Sequence, residues 1–334
     1  LKLVTIAWWR DFDQFVRESP VHCLAASMRA AGSREPLHLL VNDKGAMPET
    51  YLELLDSLGV TTICIEGMIE EIERGVPQLR FLPFFERACL LRWFVLDAFL
   101  QHQSSRTREV LVVDGDLIFL LAPEEISSAF SGRTFVLQGC PAFTFLSDPM
   151  EWITQYKRGL TNFLADIHGF SCHLSHEKES KLQWATDKFD LHGGWERNPL
   201  CSDQDLINAL VANGLLRQDP IRDLQVKHRL AMCENPLGLV YQIIRTSAKP
   251  PITFRLIKGD NGALQFLANE SRITHLHFQY DFLMYCSAVL ALRSHPELSG
   301  RKPPHQGGKP RPFEAPAGTG ILFQGPETQQ ARRI

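Results

Sequence analysis

The segment VLVVDGDLIFL sets two carboxylates, Asp114 and Asp116, between the apolar runs Val110–Val113 and Leu117–Leu120. Like charges held this close at the end of a buried strand raise one another's pKa unless a cation lies between them. A hard divalent ion, Mn2+ or Mg2+, resolves that conflict with oxygen ligands and keeps coordination positions for substrate phosphates. Gly115, between the carboxylates, is expected to let a ligand approach the backbone closely. The plainer alternative is a polar strand end turning toward water, and the apolar residues on both sides argue against it.

Three further segments carry groups suited to such a site. In SDQDLINAL, Ser202 is expected to cap a helix with Asp205 at its third position, a carboxylate variant of the capping box. Asp203 and Gln204 then occupy the first turn, where N–H groups and side chains converge on a ligand. Asp203 would also favour the helix dipole without any ligand. In THLHFQY, period-two alternation puts His275 and His277 on one face of a strand, where either can complete a metal site. Arg92 lies in the otherwise apolar ACLLRWFVLDAFL and needs an anionic partner, because an unpaired buried charge is costly. Asp97 or Glu86 would serve structurally; a diphosphate or the metal-site carboxylates would serve equally.

The surrounding pattern must position these groups. KLVTIAWW reads as a strand, and DQFVRESPVHCLAASMRAAG as a helix broken near Pro20 and stopped by Gly32. LHLLV (strand), PETYLELLDSLG (helix) and VTTICIE (strand) follow, then the long helix PFFERACLLRWFVLDAFL leading into the carboxylate pair. Strand–helix alternation at this rhythm predicts an α/β fold with a doubly wound, mostly parallel, Rossmann-like sheet. Ligands in such sheets bind at the carboxyl ends of strands, where strand order reverses. RTFVLQG reads as another strand, whereas 150–200 is polar and without clean periodicity. We therefore expect an α/β half at 1–130, a looser half of the same fold at 131–290, and a Pro/Gly/basic-rich tail at 291–334.

Composition bounds the function. Thirty-five basic against 38 acidic residues give a net charge of −3, which argues against a general nucleic-acid binder. No apolar run approaches the roughly 18 residues of a membrane span, and LKLVTIAWWRDFD reads as a first strand rather than a leader. Eight cysteines without a Cys-x-x-Cys pair are expected to be buried thiols of a reducing compartment. The expected location is cytoplasmic, with a secretory lumen as the alternative. The tail's Arg301, Lys302, Lys309, Arg311, Arg332 and Arg333 would give weak attachment to an anionic membrane surface, about 1 kcal/mol each at best.

Taken in order, VLVVDGD, SDQDLIN and HLHF resemble the glycosyltransferase-A fold of nucleotide-sugar transferases. The family most similar is the retaining one that contains bacterial lipooligosaccharide galactosyltransferases and glycogenin. The resemblance spans roughly residues 1–285, through motifs covering fewer than twenty positions. It implies that Asp114 and Asp116 bind the metal and the donor diphosphate, with His277 as third protein ligand. It implies further that Asp203 holds the donor sugar's hydroxyls, that Gln204 sits beside the anomeric carbon, and that Arg92 contacts the donor. AWWRDFD lies where the family grips the nucleotide base, which points to Trp8 or Asp11. The implied partners are a nucleotide-sugar donor and a glycan or glycolipid acceptor. The chain departs from the family in having QYDFLMYC where Gly and then Lys-Pro-Trp usually follow, and in DKFDLHGGWERNPLC, the stretch before the Asp-Gln helix, which has no obvious match in the family.

On this resemblance the expected reaction moves a hexose from a nucleoside-diphosphate sugar, UDP-linked, to a hydroxyl, with retention. Gln204 is a poor nucleophile, so front-face attack is favoured; an inverting enzyme would recruit Asp203, Asp205 or a residue in 187–196 as base. Two alternatives stand beside it. VVDGDLI also resembles the haloacid-dehalogenase-type phosphatases, in which the first carboxylate is a nucleophile. A binding or scaffold protein of transferase fold without turnover is the other.

Overall fold

Parallel strands covered on both faces read as continuous apolar runs, and Val110–Val113 does so, all four residues buried. In the computed structural model, β1 (Lys2–Ala7), β2 (Leu37–Val41), β3 (Val60–Cys64) and β4 (Val110–Val113) lie side by side. The residues described are 1–81, 84–103, 109–165, 202–232, 254–258, 264–278, 322–323 and 332–333. The unmatched DKFDLHGGWERNPLC, the segment after Phe278 and most of the basic tail lie outside them.

The chain folds as two compact units. The first takes the described residues of 1–15, 35–114 and 131–220; the second takes those of 16–34, 115–130 and 221–334.

In the first unit a six-stranded sheet has the order β3-β2-β1-β4-β7-β6, where β6 is Phe135–Val136 and β7 is Phe143–Leu146. β1 pairs in parallel with both β2 and β4, and β2 with β3, while β7 runs antiparallel to β4 and β6. The α/β, mostly parallel sheet is thus as expected. Strand order reverses between β1 and β4, so Trp8 and Asp114 leave the sheet at its switch point. Val4, Leu40, Val110 and Val112 share one buried cluster with α4 (Glu66–Gly75), α5 (Phe84–Gln101), α7 (Pro149–Ala165) and α8 (Asp203–Ala212).

Two expectations change here. RTFVLQG is strand only at Phe135–Val136 and tightens into a 3-10 turn at Leu137–Gly139. The start of the supposedly aperiodic 150–200 is the helix α7, which buries Trp152, Ile153, Tyr156, Leu160 and Phe163 on one face. Polar residues between those positions hid their helical spacing. The exposed edge of β6 is closed by a side chain: Val136 N–H donates to Gln218 Oε1 (2.9 Å) and Gln218 Nε2 donates to the Val136 carbonyl (3.0 Å). An edge strand occupied this way is protected from pairing with another chain.

The second unit holds α2 (Val21–Ala30), which packs on β5 (Leu117–Phe119), then α6 (Pro123–Phe130) and α9 (Arg222–His228). Its four-stranded sheet has the order β8-β11-β10-β9, from Leu230–Ala231, Ser271–Ile273, Leu264–Ala268 and Phe254–Lys258. RITHLHFQY does not form one strand: β11 ends at Ile273, and β12 (His275–His277) pairs antiparallel with β5. Thr274 makes the exchange, its N–H donating to the Ala231 carbonyl (3.0 Å) and its carbonyl accepting from Leu120 (2.9 Å) and Leu121 (3.1 Å). α1 spans Phe12–Glu18 and α3 spans Glu49–Ser57. In the tail, Leu322–Phe323 pairs antiparallel with Arg332–Arg333. Cys23 and Cys140 are buried thiols as expected, whereas Cys89 is half-buried and Cys64, at the end of β3, is exposed. Among the described residues no helix is long and apolar enough to cross a membrane.

Candidate functional site

β4 ends where its apolar run ends. Asp114 N–H donates to the Ala142 carbonyl (2.9 Å), continuing the β4–β7 ladder by one rung before the chain turns through Gly115 and Asp116 into β5. That turn keeps the carboxylates of Asp114 and Asp116 together. Gly115 has a different reason from the expected one. A β-carbon built on it would lie 2.0 Å from the Ser19 hydroxyl and 2.9 Å from a Val21 methyl, so it is the approach of Ser19–Val21 that requires glycine. Gly115→Ala should therefore displace the turn from the start of α2 and lower stability by about 1–3 kcal/mol, as overpacking does; a urea titration measures this.

The β12–β5 register sets His277 opposite Leu117, beside the turn, and His275 opposite Phe119, further along β5. His277 Nε2 lies 3.2 Å from Asp116 Oδ1, and the Asp116 carbonyl accepts from Phe278 N–H at 3.0 Å. His275 instead contacts Thr274 Oγ1 through Nδ1 (2.9 Å). The alternative left open by the sequence thus resolves: His277, not His275, joins the carboxylate.

Burial first, and the neighbouring His277 second, push the pKa of His275 down to about 3. The folded protein therefore holds His275 neutral, while the unfolded chain protonates it below its ordinary value of 6.5. The contribution is complete above pH 6.5 and is lost as pH falls toward about 3, at up to roughly 1.4 kcal/mol per unit. Denaturant midpoints across that window should fall in the wild type and fall less steeply in His275→Phe.

In the first unit Arg92 finds two carboxylates. Its Nη1 lies 2.8 Å from Asp114 Oδ1, its Nε 2.7 Å from Asp203 Oδ2, and its Nη2 3.3 Å from Asp203 Oδ1. Asp97, the structural partner considered from the sequence, is held by Lys157 Nζ at 2.6 Å. Burial works against the charge of Arg92, but Asp203 and Asp114 outweigh it and hold the guanidinium well above its usual value. Burial pushes the Asp203 carboxyl up while Arg92 draws it down.

Asp203 enters this network because α8 begins as expected. Ser202 is extended and its hydroxyl accepts the Gln204 N–H (3.2 Å), which caps the helix and leaves Asp203 at its first position. At the other end, Gly214 in the left-handed region (φ 67°) lets Leu215 N–H return to the Leu210 carbonyl (2.8 Å).

Among the described residues, Asp114, Asp116 and His277 form a group able to hold a metal ion, each offering one ligand atom, all within 4.8 Å of one another. Gln204 is half-buried on the first turn of α8. Trp8 is half-buried against Phe84, with ring centroids 6.3 Å apart. Asp11 is exposed, and its Oδ1 accepts the Gln14 N–H (2.7 Å), so it caps α1. Sequence reasoning missed Trp93, whose indole N–H donates to Asp203 Oδ2 at 2.9 Å. It also missed Asn42, which brackets Trp9 by accepting its N–H (3.0 Å) and donating to its carbonyl (2.8 Å). Trp93 was legible only as the neighbour of an out-of-place arginine.

No family model matches the chain, and no curated protein matches it. Among solved structures, the chain is similar to the apo form of mouse xyloside xylosyltransferase 1, at 14% identity over 66% of this chain and 85% of that one, with a TM-score of 0.37. It is also similar to the glycosyltransferase GlyE of Streptococcus pneumoniae TIGR4, at 10% identity over 72% of each chain, with a TM-score of 0.29.

Proposed function

We propose that this chain is a metal-dependent glycosyltransferase that moves a hexose from a UDP-linked sugar to a hydroxyl of a glycan or glycolipid, with retention. The observation that carries the reading is the grouping of Asp114, Asp116 and His277 at the carboxyl end of β4, beside the switch point of the sheet. The donor set fits a hard to borderline divalent ion: two carboxylates with one imidazole suit Mn2+, with Mg2+ as the harder alternative. Asp114 and Asp116 supply the negative charge that such an ion would balance.

When bound, the ion supplies Lewis-acid stabilisation of the charge developing on the departing diphosphate. The protein's own residues do the rest. Arg92 holds one oxygen of Asp114, which orients that carboxylate. Gln204, neutral and at the start of α8, stabilises positive character at the anomeric carbon without competing as a nucleophile, so the acceptor hydroxyl attacks from the front face as the bond to the diphosphate breaks, and the departing diphosphate oxygen takes its proton. Trp8, with Phe84 against it and Arg10 5.0 Å from the Phe84 ring, offers a wall for the base. A phosphatase would need the first carboxylate as a free nucleophile, and here Asp114 Oδ1 is tied to Arg92.

The test is donor turnover. With Mn2+ and no acceptor, the protein should slowly hydrolyse one of a panel of UDP-, GDP- and CMP-sugars, and chelation should stop it. The α or β configuration of the product, read by NMR, decides retention. Cleavage of phosphomonoesters but no nucleotide sugar would replace this reading with the phosphatase; binding without turnover would replace it with the scaffold.

A further inference from the structure

Asp203 is placed unlike a residue that meets a sugar. Its side chain is 1% exposed, and both oxygens are engaged: Oδ2 by Arg92 Nε (2.7 Å) and Trp93 Nε1 (2.9 Å), Oδ1 by Arg92 Nη2 (3.3 Å). A guanidinium is a rigid planar fork. With Nη2 donating to Asp203 Oδ1 (3.3 Å) and Nε held 2.7 Å from Oδ2 by charge, the guanidinium has little freedom to turn, and Nη1 is the nitrogen that donates to Asp114 Oδ1 at 2.8 Å.

Trp93 is in turn immobilised. It is fully buried, edge-on to Trp152 with centroids 4.7 Å apart and tilted against Tyr156 at 5.9 Å. The Tyr156 hydroxyl donates to the Leu90 carbonyl (3.0 Å), which ties α7 to α5. The backbone of Asp203 is seated just as firmly, because α8 lies against two glycines. A β-carbon on Gly139 would lie 2.2 Å from Asn208 Oδ1, and one on Gly159 2.5 Å from the Leu210 methyls.

From these contacts we infer that Asp203 and Trp93 are positioning residues of the metal site, acting through Arg92 on Asp114. The inference rests on the metal-site reading proposed for this chain and departs from the sugar-hydroxyl role that the family resemblance gives Asp203. Asp203 holds the guanidinium so that one nitrogen alone reaches Asp114. Trp93 fixes the Asp203 oxygen that the guanidinium leans on. Without them Arg92 is free to close on Asp114 with two nitrogens and compete with a cation for that carboxylate.

The two roles separate when no sugar is present. Mn2+ alone is titrated into the metal-free protein and free Mn2+ is read by electron paramagnetic resonance. Asp203→Asn should weaken Mn2+ binding about tenfold or more, as loss of a group that orients a metal ligand does. Because that change also removes a charge, a second variant carries none: benzothienylalanine at position 93 replaces the indole N–H by sulfur and keeps the ring shape. It should weaken Mn2+ binding about threefold to tenfold, measured at a temperature where the variant, whose thermal midpoint falls with the lost buried hydrogen bond, is still fully folded. Trp93→Phe provides the same loss of donor in a natural side chain.

Mn2+ affinity within about twofold of wild type in both Asp203→Asn and the sulfur variant, with the donor-sugar KM raised in Asp203→Asn, would overturn the inference and return Asp203 to the sugar. Wild-type protein that binds no Mn2+ would overturn the metal-site reading, and this inference with it.

Discussion

Arg92→Met should cost about 3–5 kcal/mol of stability, the range for removing one partner of a buried ion pair. Methionine roughly fills the volume of the arginine stem, so little of the loss is packing. What remains is Asp203, 1% exposed, still accepting from the Trp93 indole N–H but without its counter-charge. The contrast within the same unit is Arg217, paired with Asp219 at 2.7 Å but 41% exposed. Its replacement should cost no more than about 1 kcal/mol, since solvent screens such a pair.

The loss in Arg92→Met should also depend on pH. Burial already pushes the Asp203 carboxyl up, and removing Arg92 removes the opposing pull. A carboxyl whose folded pKa lies above its unfolded value contributes most below the unfolded value and loses that contribution as pH rises through the folded one. The variant should therefore be closest to wild type in acid and furthest from it near neutrality. Combining Arg92→Met with Asp203→Asn should recover part of the loss, because the uncompensated charge is gone. Urea midpoints of wild type, both single variants and the double variant at two pH values measure all of this.

Asp116→Ala is expected to behave in the opposite way. Turnover of a nucleotide sugar should fall about a thousandfold or more, comparable to removing a main stabiliser of developing charge. Stability of the metal-free protein should change by no more than about 1 kcal/mol, because the substitution also relieves repulsion between two neighbouring carboxylates. Steady-state rates at saturating Mn2+, with a parallel unfolding curve, make the comparison. In the proposed site Arg92 would thus act first through the fold, and Asp116 chiefly through the ion.

Much of this arrangement was legible in the residues. The strands Lys2–Ala7, Leu37–Val41, Val60–Cys64 and Val110–Val113 are short apolar runs with punctuated ends, and their alternation with helices fixes a parallel sheet. Ser202 announced the start of α8 by its type and spacing. Less legible was whatever depends on one side chain finding another far along the chain. Arg92 could be seen to need an anion, but its meeting with Asp203, 111 residues away, follows from the packing of α5, α7 and α8. Period two put His275 and His277 on one face but could not show that the ladder with β5 brings only His277 to Asp116. Gly115 looked like room for a ligand because the Ser19–Val21 segment that fills that room lies far earlier in the chain. The helix Pro149–Ala165 was obscured because its buried positions are aromatic and aliphatic residues set among polar ones.

Thermal unfolding shows whether Asp114, Asp116 and His277 hold a divalent ion that receives a nucleoside diphosphate. Wild type and Asp116→Ala would be unfolded with Mn2+ and each of UDP, GDP, CDP and ADP. A ligand bound only by the folded state at about 100 times its dissociation constant adds about 2.7 kcal/mol. UDP should raise the wild-type midpoint only when Mn2+ is present, and the rise should vanish in Asp116→Ala. No rise with any diphosphate, or an equal rise without Mn2+ or in the variant, would contradict it.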